Sequence, residues 1–380
     1  MAKRIYIVIF AIYLNLPKFQ SMINVGILGA ETMAAGELTR ILINHPDVTL
    51  RTIASEQEAG RAITSLHRGL TGDTDLIVAP HLEPEGLDVV FLCGEPWQAT
   101  RWMESHAGDS HMDELRIIDL TGAFRNGEHG MVYGFPEFNR KALVRGATRA
   151  SVPSASAIAI EQALFPLAKN SMLDNDISVA ISMATSEKHS SGNTAGQGLS
   201  FGLGELATST RLDPIAPQEH RCDSDAAASE AAAALRMMQP SASPKVRINM
   251  SRDESLSRGL TAVVRIPCRT GIPELQRIYD DAYHDHGFTF PVETTPQVAD
   301  VANTNKCLLQ ICYPDSSEAH DFNSMNFGVT DRTASGMPHL QITVVIDNLL
   351  KGGAGTAVHC MNLLFGLSEK TGLALKASAM

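Results

Sequence analysis

From Met22 onward short apolar runs alternate with helical segments, and that alternation narrows the choice of fold more than any other feature of the chain. Ile23 to Leu28 is a run of strand length. Gly29 follows it, and then Leu38, Ile41 and Leu42 fall on one helical face that ends before Pro46. Val48 to Ala54 reads as a second strand, and Leu76 to Ala79, Leu87 to Cys93 and Leu115 to Leu120 as three further apolar runs. Strands separated by helices make a parallel sheet covered by those helices. A first strand that enters a glycine turn predicts a Rossmann-type α/β domain.

Beyond residue 160 the texture changes. Strand-like runs occur at Ile177 to Met183, Val246 to Met250, Thr261 to Pro267, Leu308 to Tyr313 and Leu340 to Ile346. Helical patterns lie at Asp225 to Met238 and Pro273 to His286, while Ser186 to Ser200 and Pro240 to Pro244 read as loops. Several strands with few helices between them predict a mixed or antiparallel sheet, an α+β second domain. We expect residues 22–153 with 350–380 to form the first domain and 154–349 the second.

Between the two halves lies Ala150-Ser151-Val152-Pro153-Ser154-Ala155-Ser156, running into Ile160, Ala163, Leu164 and Leu167 at helical spacing. Pro153 biases Val152 to extended backbone and the serines favour turns and caps. A strand-turn-helix elbow of small residues can present a nucleophile to a cleft. Between Ala150 and Ile160, however, there is no cysteine, histidine, lysine or carboxylate.

The glycine turn reads Gly26-Ile27-Leu28-Gly29-Ala30-Glu31-Thr32. A dinucleotide loop needs glycine where backbone approaches the pyrophosphate, with a helix N-terminus aimed at that charge. Gly26 and Gly29 fit. Thr32 stands where a third glycine would help, and Glu31 adds negative charge. Glu56, after the second strand, can accept from a ribose 2′-hydroxyl and would repel a 2′-phosphate. The turn alone leaves open a cofactor site or a βα turn that binds nothing. The closing segment, Ile346-Asp347-Asn348-Leu349-Leu350-Lys351-Gly352-Gly353-Ala354-Gly355, is a strand entering a glycine-rich turn that opens a helix. It suits an anion edge, or tight packing through Gly352 and Gly355.

A net charge of −11 argues against nucleic acid as a main partner, because phosphate backbones need a basic surface. The six cysteines, Cys93, Cys222, Cys268, Cys307, Cys312 and Cys360, lack paired metal spacing and read as reduced, buried thiols of a cytoplasmic protein. The groups His284/His286 and His106/Asp109/His111 read as solvated surface, so no metal is expected. Lys3 and Arg4 precede an apolar run from Ile5 to Leu16, too short to span a membrane. Residues 1–21 are expected to be an extension outside the fold, with an export signal as the alternative.

Taken together, these motifs make the chain similar to the N-acetyl-γ-glutamyl-phosphate reductase family, NADPH-dependent enzymes of arginine biosynthesis related to aspartate-semialdehyde dehydrogenase. The resemblance is carried by Val25-Gly26-Ile27-Leu28-Gly29-Ala30, Ile118-Asp119-Leu120 with Phe124-Arg125, Tyr133-Gly134-Phe135-Pro136-Glu137 with Asn139-Arg140, and Glu219-His220. Ala195-Gly196-Gln197-Gly198, Thr304-Asn305 and the segment from Ile346 to Gly366 add to it. It implies a Rossmann domain plus a glyceraldehyde-3-phosphate-dehydrogenase-like α+β domain. It also implies NADP contacts at Gly26, Gly29, Ala30, Thr32, Asn348 and Gly352, substrate contacts at Arg125, Ser191 and Gly192, and proton transfer by His220.

In the family a cysteine thiolate displaces phosphate from the acyl phosphate, and NADPH reduces the thioester to the semialdehyde. The family's Asn-Pro-Gly-Cys stretch is Val152-Pro153-Ser154-Ala155 here, so Ala155 stands at the nucleophile position. Ser154 and Ser156 are poor substitutes, because a hydroxyl needs a strong base and an oxyester accepts hydride less readily. Cys222 replaces the second histidine of the family's His-x-His, and Ser251 to Ser255 its Pro-His-Leu-x-Pro. Pro96-Trp97 stands at a His-Gly pair, Ala123 at an aspartate and Thr32 at a loop glycine. Cys222 beside His220 and Arg221 is a relocated nucleophile only in principle, since it lies away from the elbow.

The expectation is a retained fold that has lost, or nearly lost, its reaction. Such a chain could serve as a homo-oligomer or as a regulatory partner of an active homologue. The alternatives are an enzyme using a cysteine-free route, or a protein that binds a nucleotide or acyl-glutamate without turnover.

Overall fold

A computed structural model describes residues 22–184, 218–314 and 336–377, with backbone alone for 218–223. Its first layer is built from β1 (Ile23–Leu28), α1 (Met33–Leu42), β2 (Val48–Ala54), β3 (Val89–Leu92), α2 (Pro96–Ser105), β4 (Arg116–Asp119), β5 (Val132–Tyr133), α3 (Pro136–Val144) and β6 (Arg149–Ser151). The sheet is wholly parallel, in the order β2-β1-β3-β4-β6-β5. Its order reverses at β1 and β3, and α/β sheets open a crevice at such a point. The apolar run Leu76 to Ala79 is no strand. Val78 N–H bonds to Arg61 O and Ala79 N–H to Ile53 O, so two different partners divide it and only isolated bridges form.

A second sheet follows with α4 (Ala155–Lys169), β7 (Ile177–Ala184), α5 (Gln218–Met238), β8 (Val246–Asp253), β9 (Leu260–Pro267), α6 (Ile272–Tyr283), β10 (Thr289–Pro291), β11 (Cys307–Cys312), β12 (His339–Ile346) and α7 (Gly355–Leu364). Its order is β10-β11-β12-β9-β7-β8, with parallel outer pairs and antiparallel pairing through the middle. That is the mixed sheet expected from the sequence. The last helix, α7, packs on α1, α3 and β4 of the first layer. Arg258, just before β9, donates to Glu37 of α1 at 3.1 Å, to Asn303 at 2.8 Å and to Asp347 at 3.1 Å, and so pins the two layers together.

Helix α4 is the axis of the molecule. Every residue from Ala155 to Ala168 is buried, as befits a helix that is apolar nearly all round. It lies against α5, α6, β9 and β12. Pro166 lacks an N–H and leaves the carbonyl four residues back without its helical partner. The Tyr283 hydroxyl donates to that carbonyl, Gln162 O, at 2.6 Å, and the Tyr279 hydroxyl serves the next one, Ala163 O. Tyr283→Phe is expected to lower unfolding free energy by about 1–3 kcal/mol, the cost of a buried acceptor left unsatisfied. Urea denaturation measures it, and an unchanged midpoint would mean that Gln162 O has another donor.

The closing segment differs from the expected glycine turn. After β12 the chain coils directly into a π-type turn, Leu350–Ala354, before α7. Gly352 N–H bonds to Asp347 O at 2.9 Å and Ala354 N–H to Leu349 O at 2.8 Å, each spanning five residues. Asp347 starts the turn by accepting from Leu349 N–H and Leu350 N–H, both at 3.0 Å.

Candidate functional site

The elbow forms where it was expected. β6 ends at Ser151 and α4 begins at Ala155, capped by Ser154, whose hydroxyl accepts from Ala157 N–H at 3.2 Å. Ala155 is 2% exposed. A Cβ on Gly352 would lie 2.6 Å from the Ala155 Cβ, so Gly352 is a glycine because the elbow presses on it. The turn that carries Gly352 also packs on α1. Ala155 thus lies inside the molecule, against the Leu350–Ala354 turn that packs on α1.

The motif residues around the elbow hold it in place. Asp119, wholly buried at the end of β4, accepts from Ser151 Oγ at 2.7 Å, from Thr121 N–H at 2.8 Å and from Phe124 N–H at 3.3 Å. This shapes the loop that delivers Arg125. Gly134 lets β5 approach β6: a Cβ there would lie 2.9 Å from Ser151 O. The Tyr133 hydroxyl donates to Glu161 of α4. Burial, with the Glu230 charge, pushes the Glu161 carboxyl well up, against the lowering effect of that hydrogen bond. Glu137, at the start of α3, pairs with Lys351 of the π turn at 2.5 Å, both side chains 1% exposed.

Arg125, a substrate contact in the sequence reading, is engaged within the chain. Its Nε donates to Val152 O at 3.0 Å and its Nη1 to Glu230 of α5 at 3.1 Å. Glu230 also accepts from the Ser154 N–H at 3.0 Å and hydroxyl at 2.8 Å. Nothing in the sequence pattern pointed to Glu230, because the contact joins residues 76 apart. Ser191 and Gly192 lie outside the described residues. So do the side chains of His220 and Cys222, although their backbone belongs to α5.

At the sheet crevice, Gly29 has φ +96°, and a Cβ there would lie 2.3 Å from Gly94 N, so only glycine fits between the ends of β1 and β3. Gly26 sits within β1 and not on the loop. A Cβ there would meet Leu87 and Leu82 at 2.6 and 2.9 Å, so its small size serves packing. Ala30 is buried, its carbonyl held by His67 Nε2 at 2.7 Å. Thr32 caps α1: its hydroxyl accepts from Ala35 N–H at 3.2 Å and donates to Gly29 O at 3.0 Å. Asn348 is buried and its Oδ1 accepts from Gly259 N–H at 2.7 Å. Glu56 is exposed with Arg101 at 3.6 Å and His81 at 3.9 Å, and the Arg101 guanidinium offsets the repulsion expected of it.

In the Gly29 crevice Glu31 Oε2 is buried without a hydrogen-bond partner, and the Thr32 hydroxyl already takes one N–H of the α1 N-terminus, both of which oppose an incoming phosphate. NADPH is expected to bind weakly, and Glu31→Gln to tighten it several-fold by removing a charge facing the phosphates. Calorimetric titration decides this, and tight binding by the unmodified chain would refute it.

The five described cysteines, Cys93, Cys268, Cys307, Cys312 and Cys360, are all free. Burial, with the charges of Asp119 and Glu31, pushes the Cys93 thiol well up, and burial pushes Cys360 up to about 12. Neither is a ready thiolate. His111 pairs with Asp109 at 2.8 Å, and His284 and His286 line a cleft with Arg140, Glu369 and Lys370 at the end of α7. Among the described residues no group of three or more His, Cys, Asp or Glu could hold a metal, and no helix is long and apolar enough to cross a membrane.

This pairing of a parallel dinucleotide-type sheet with a mixed second sheet is a semialdehyde-dehydrogenase architecture. Residues 24–145 match the semialdehyde dehydrogenase NAD-binding domain and residues 156–321 the semialdehyde dehydrogenase dimerisation domain. Aspartate semialdehyde dehydrogenase II from Vibrio cholerae shares the fold at TM-score 0.62 and 18% identity, over 91% of this chain and 99% of that one. The Candida albicans enzyme with NADP follows at 0.61 and 14%, over 91% and 99%. N-acetyl-gamma-glutamyl-phosphate reductase of Parabacteroides distasonis is 36% identical over 369 residues, 94% of this chain and all of that protein. The protein of the same name from Phocaeicola vulgatus is 34% identical over 363 residues, again 94% and 100%. The chain belongs to the semialdehyde dehydrogenase family, in the group of the N-acetyl-γ-glutamyl-phosphate reductases, and its first domain is that family's NAD(P)-binding domain.

Proposed function

We propose that this chain is an N-acetyl-γ-glutamyl-phosphate reductase homologue that has lost, or nearly lost, acyl-phosphate reduction. The observation that carries this is Ala155, a methyl group at the first position of α4 where the reaction needs a nucleophile. Reduction of an acyl phosphate through a covalent intermediate requires a thiolate that expels phosphate and then holds the acyl group for hydride transfer. A methyl can do neither. Neighbouring Ser154 does not replace it, because its hydroxyl donates to Glu230, an acceptor committed also to Arg125 and the Ser154 N–H. The described cysteines lie elsewhere, and the elbow's buried carboxyl, Glu161, already accepts from the Tyr133 hydroxyl.

The matched dimerisation domain supports assembly with a second copy, or with an active homologue, as the setting in which such a chain would act. The test is phosphate-dependent oxidation of N-acetylglutamate semialdehyde with NADP, the assayable reverse direction. Purified protein is expected to stay at background. Robust turnover abolished by His220→Ala would overturn the proposal and establish a cysteine-free route.

A further inference from the structure

Glu230 is the elbow residue that a reductase site does not explain. It reaches from α5 with its side chain 13% exposed, and three donors converge on its carboxylate: the Ser154 N–H, the Ser154 hydroxyl and Arg125 Nη1. Arg125 is aimed by its bond to Val152 O and lies on Gly122, where a Cβ would come within 2.7 Å of the guanidinium carbon. A peptide N–H, a hydroxyl and a guanidinium gathered at one point make the donor set of a carboxylate-binding site. The occupant here is covalently attached.

We propose that Glu230 is an internal plug, a tethered carboxylate that fills an oxyanion cradle beside Ala155 and keeps free carboxylates out of it. Because it is tethered, Glu230 competes at the high effective concentration of an intramolecular ligand, so an external acid must displace it without gaining a new donor. Arg125 balances the Glu230 charge, and the nearby Glu161 carboxyl is turned toward the Tyr133 hydroxyl and away from the cradle. This inference builds on the loss-of-reaction reading, since a substrate anion and Glu230 cannot share Arg125 and Ser154.

Glu230→Ala removes what amounts to one acetate ion and leaves the three donors in place. Sodium acetate is expected to raise the Tm of that variant by several degrees over sodium chloride of equal ionic strength, and to leave the unmodified chain unmoved. Arg125→Ala added to Glu230→Ala should abolish the shift. A folded Glu230→Ala protein indifferent to acetate overturns the plug, and so does equal stabilisation of the unmodified chain. Stabilisation by phosphate and not by acetate overturns the carboxylate assignment. Should Glu230→Ala fail to fold in chloride, refolding in acetate becomes the readout: recovery supports the plug and continued failure refutes it. None of these readouts involves turnover, so an active unmodified enzyme would refute the proposed function and leave the acetate result separately legible.

Discussion

Ala155→Cys, made alone, is expected to leave phosphate-dependent oxidation of N-acetylglutamate semialdehyde within about tenfold of background. Loss of a covalent nucleophile commonly costs several orders of magnitude in rate, and replacing it recovers that factor only if its partners still act as a unit. Here the partners have other duties. Arg125 and Ser154 bind Glu230, Thr32 caps α1, and Gly352 sits within van der Waals reach of the residue to be enlarged. A new thiol would also stand at a buried position close to the Glu230 carboxylate, both of which disfavour the thiolate. Recovery to a large fraction of a homologous reductase's kcat/KM would show a site intact but for one residue, and the loss of reaction would then be a single lesion.

Lys351→Met is expected to destabilise the protein by about 3–5 kcal/mol, the usual result of removing one member of a buried ion pair. Burial alone would push the Glu137 carboxyl up, but the Lys351 ammonium, helped by His359 and His286, holds it at about 2 against an ordinary 4.5. Without Lys351 the remaining charge has only the Thr289 hydroxyl, at 3.0 Å, on that oxygen, and Glu137 Oε2 has no partner. The sign of the pH dependence follows from the depressed value. Stability from the pair is complete above about pH 4.5 and is lost as pH falls toward 2. The variant should accordingly lose the acid limb of the stability profile along with the stability. Equal denaturation midpoints for the two proteins at pH 7 would refute the assignment, and Lys351→Arg, which keeps the charge, separates charge from packing.

The alternation of strands and helices, the mixed second sheet and the elbow were all legible in local pattern, because a strand or helix is specified by neighbours a few residues apart. That Ala155 stands at the turn of the elbow was legible too, from Pro153 and the serines around it. Leu76 to Ala79 was legible only as an apolar run, because such a run does not reveal that its backbone partners will be two different segments. The closing segment looked like a glycine turn. Only the approach of Ala155 to Gly352 shows why glycine is needed there, and only the bonds of the Leu350–Ala354 turn show that it is already helical.

By itself the sequence determined the family, the order of the layers and the absence of cysteine from the elbow, since each is written in residue types at short spacing. Tertiary structure alone decided what the remaining polar residues do. Arg125 meets Glu230 across 105 residues, Glu137 meets Lys351 across 214, and Glu37 meets Arg258 across 221. A charge read in isolation is a candidate ligand for any substrate. Folding brings it to 2.5–3.1 Å from an opposite charge largely removed from water, and the pairing then decides whether it remains available.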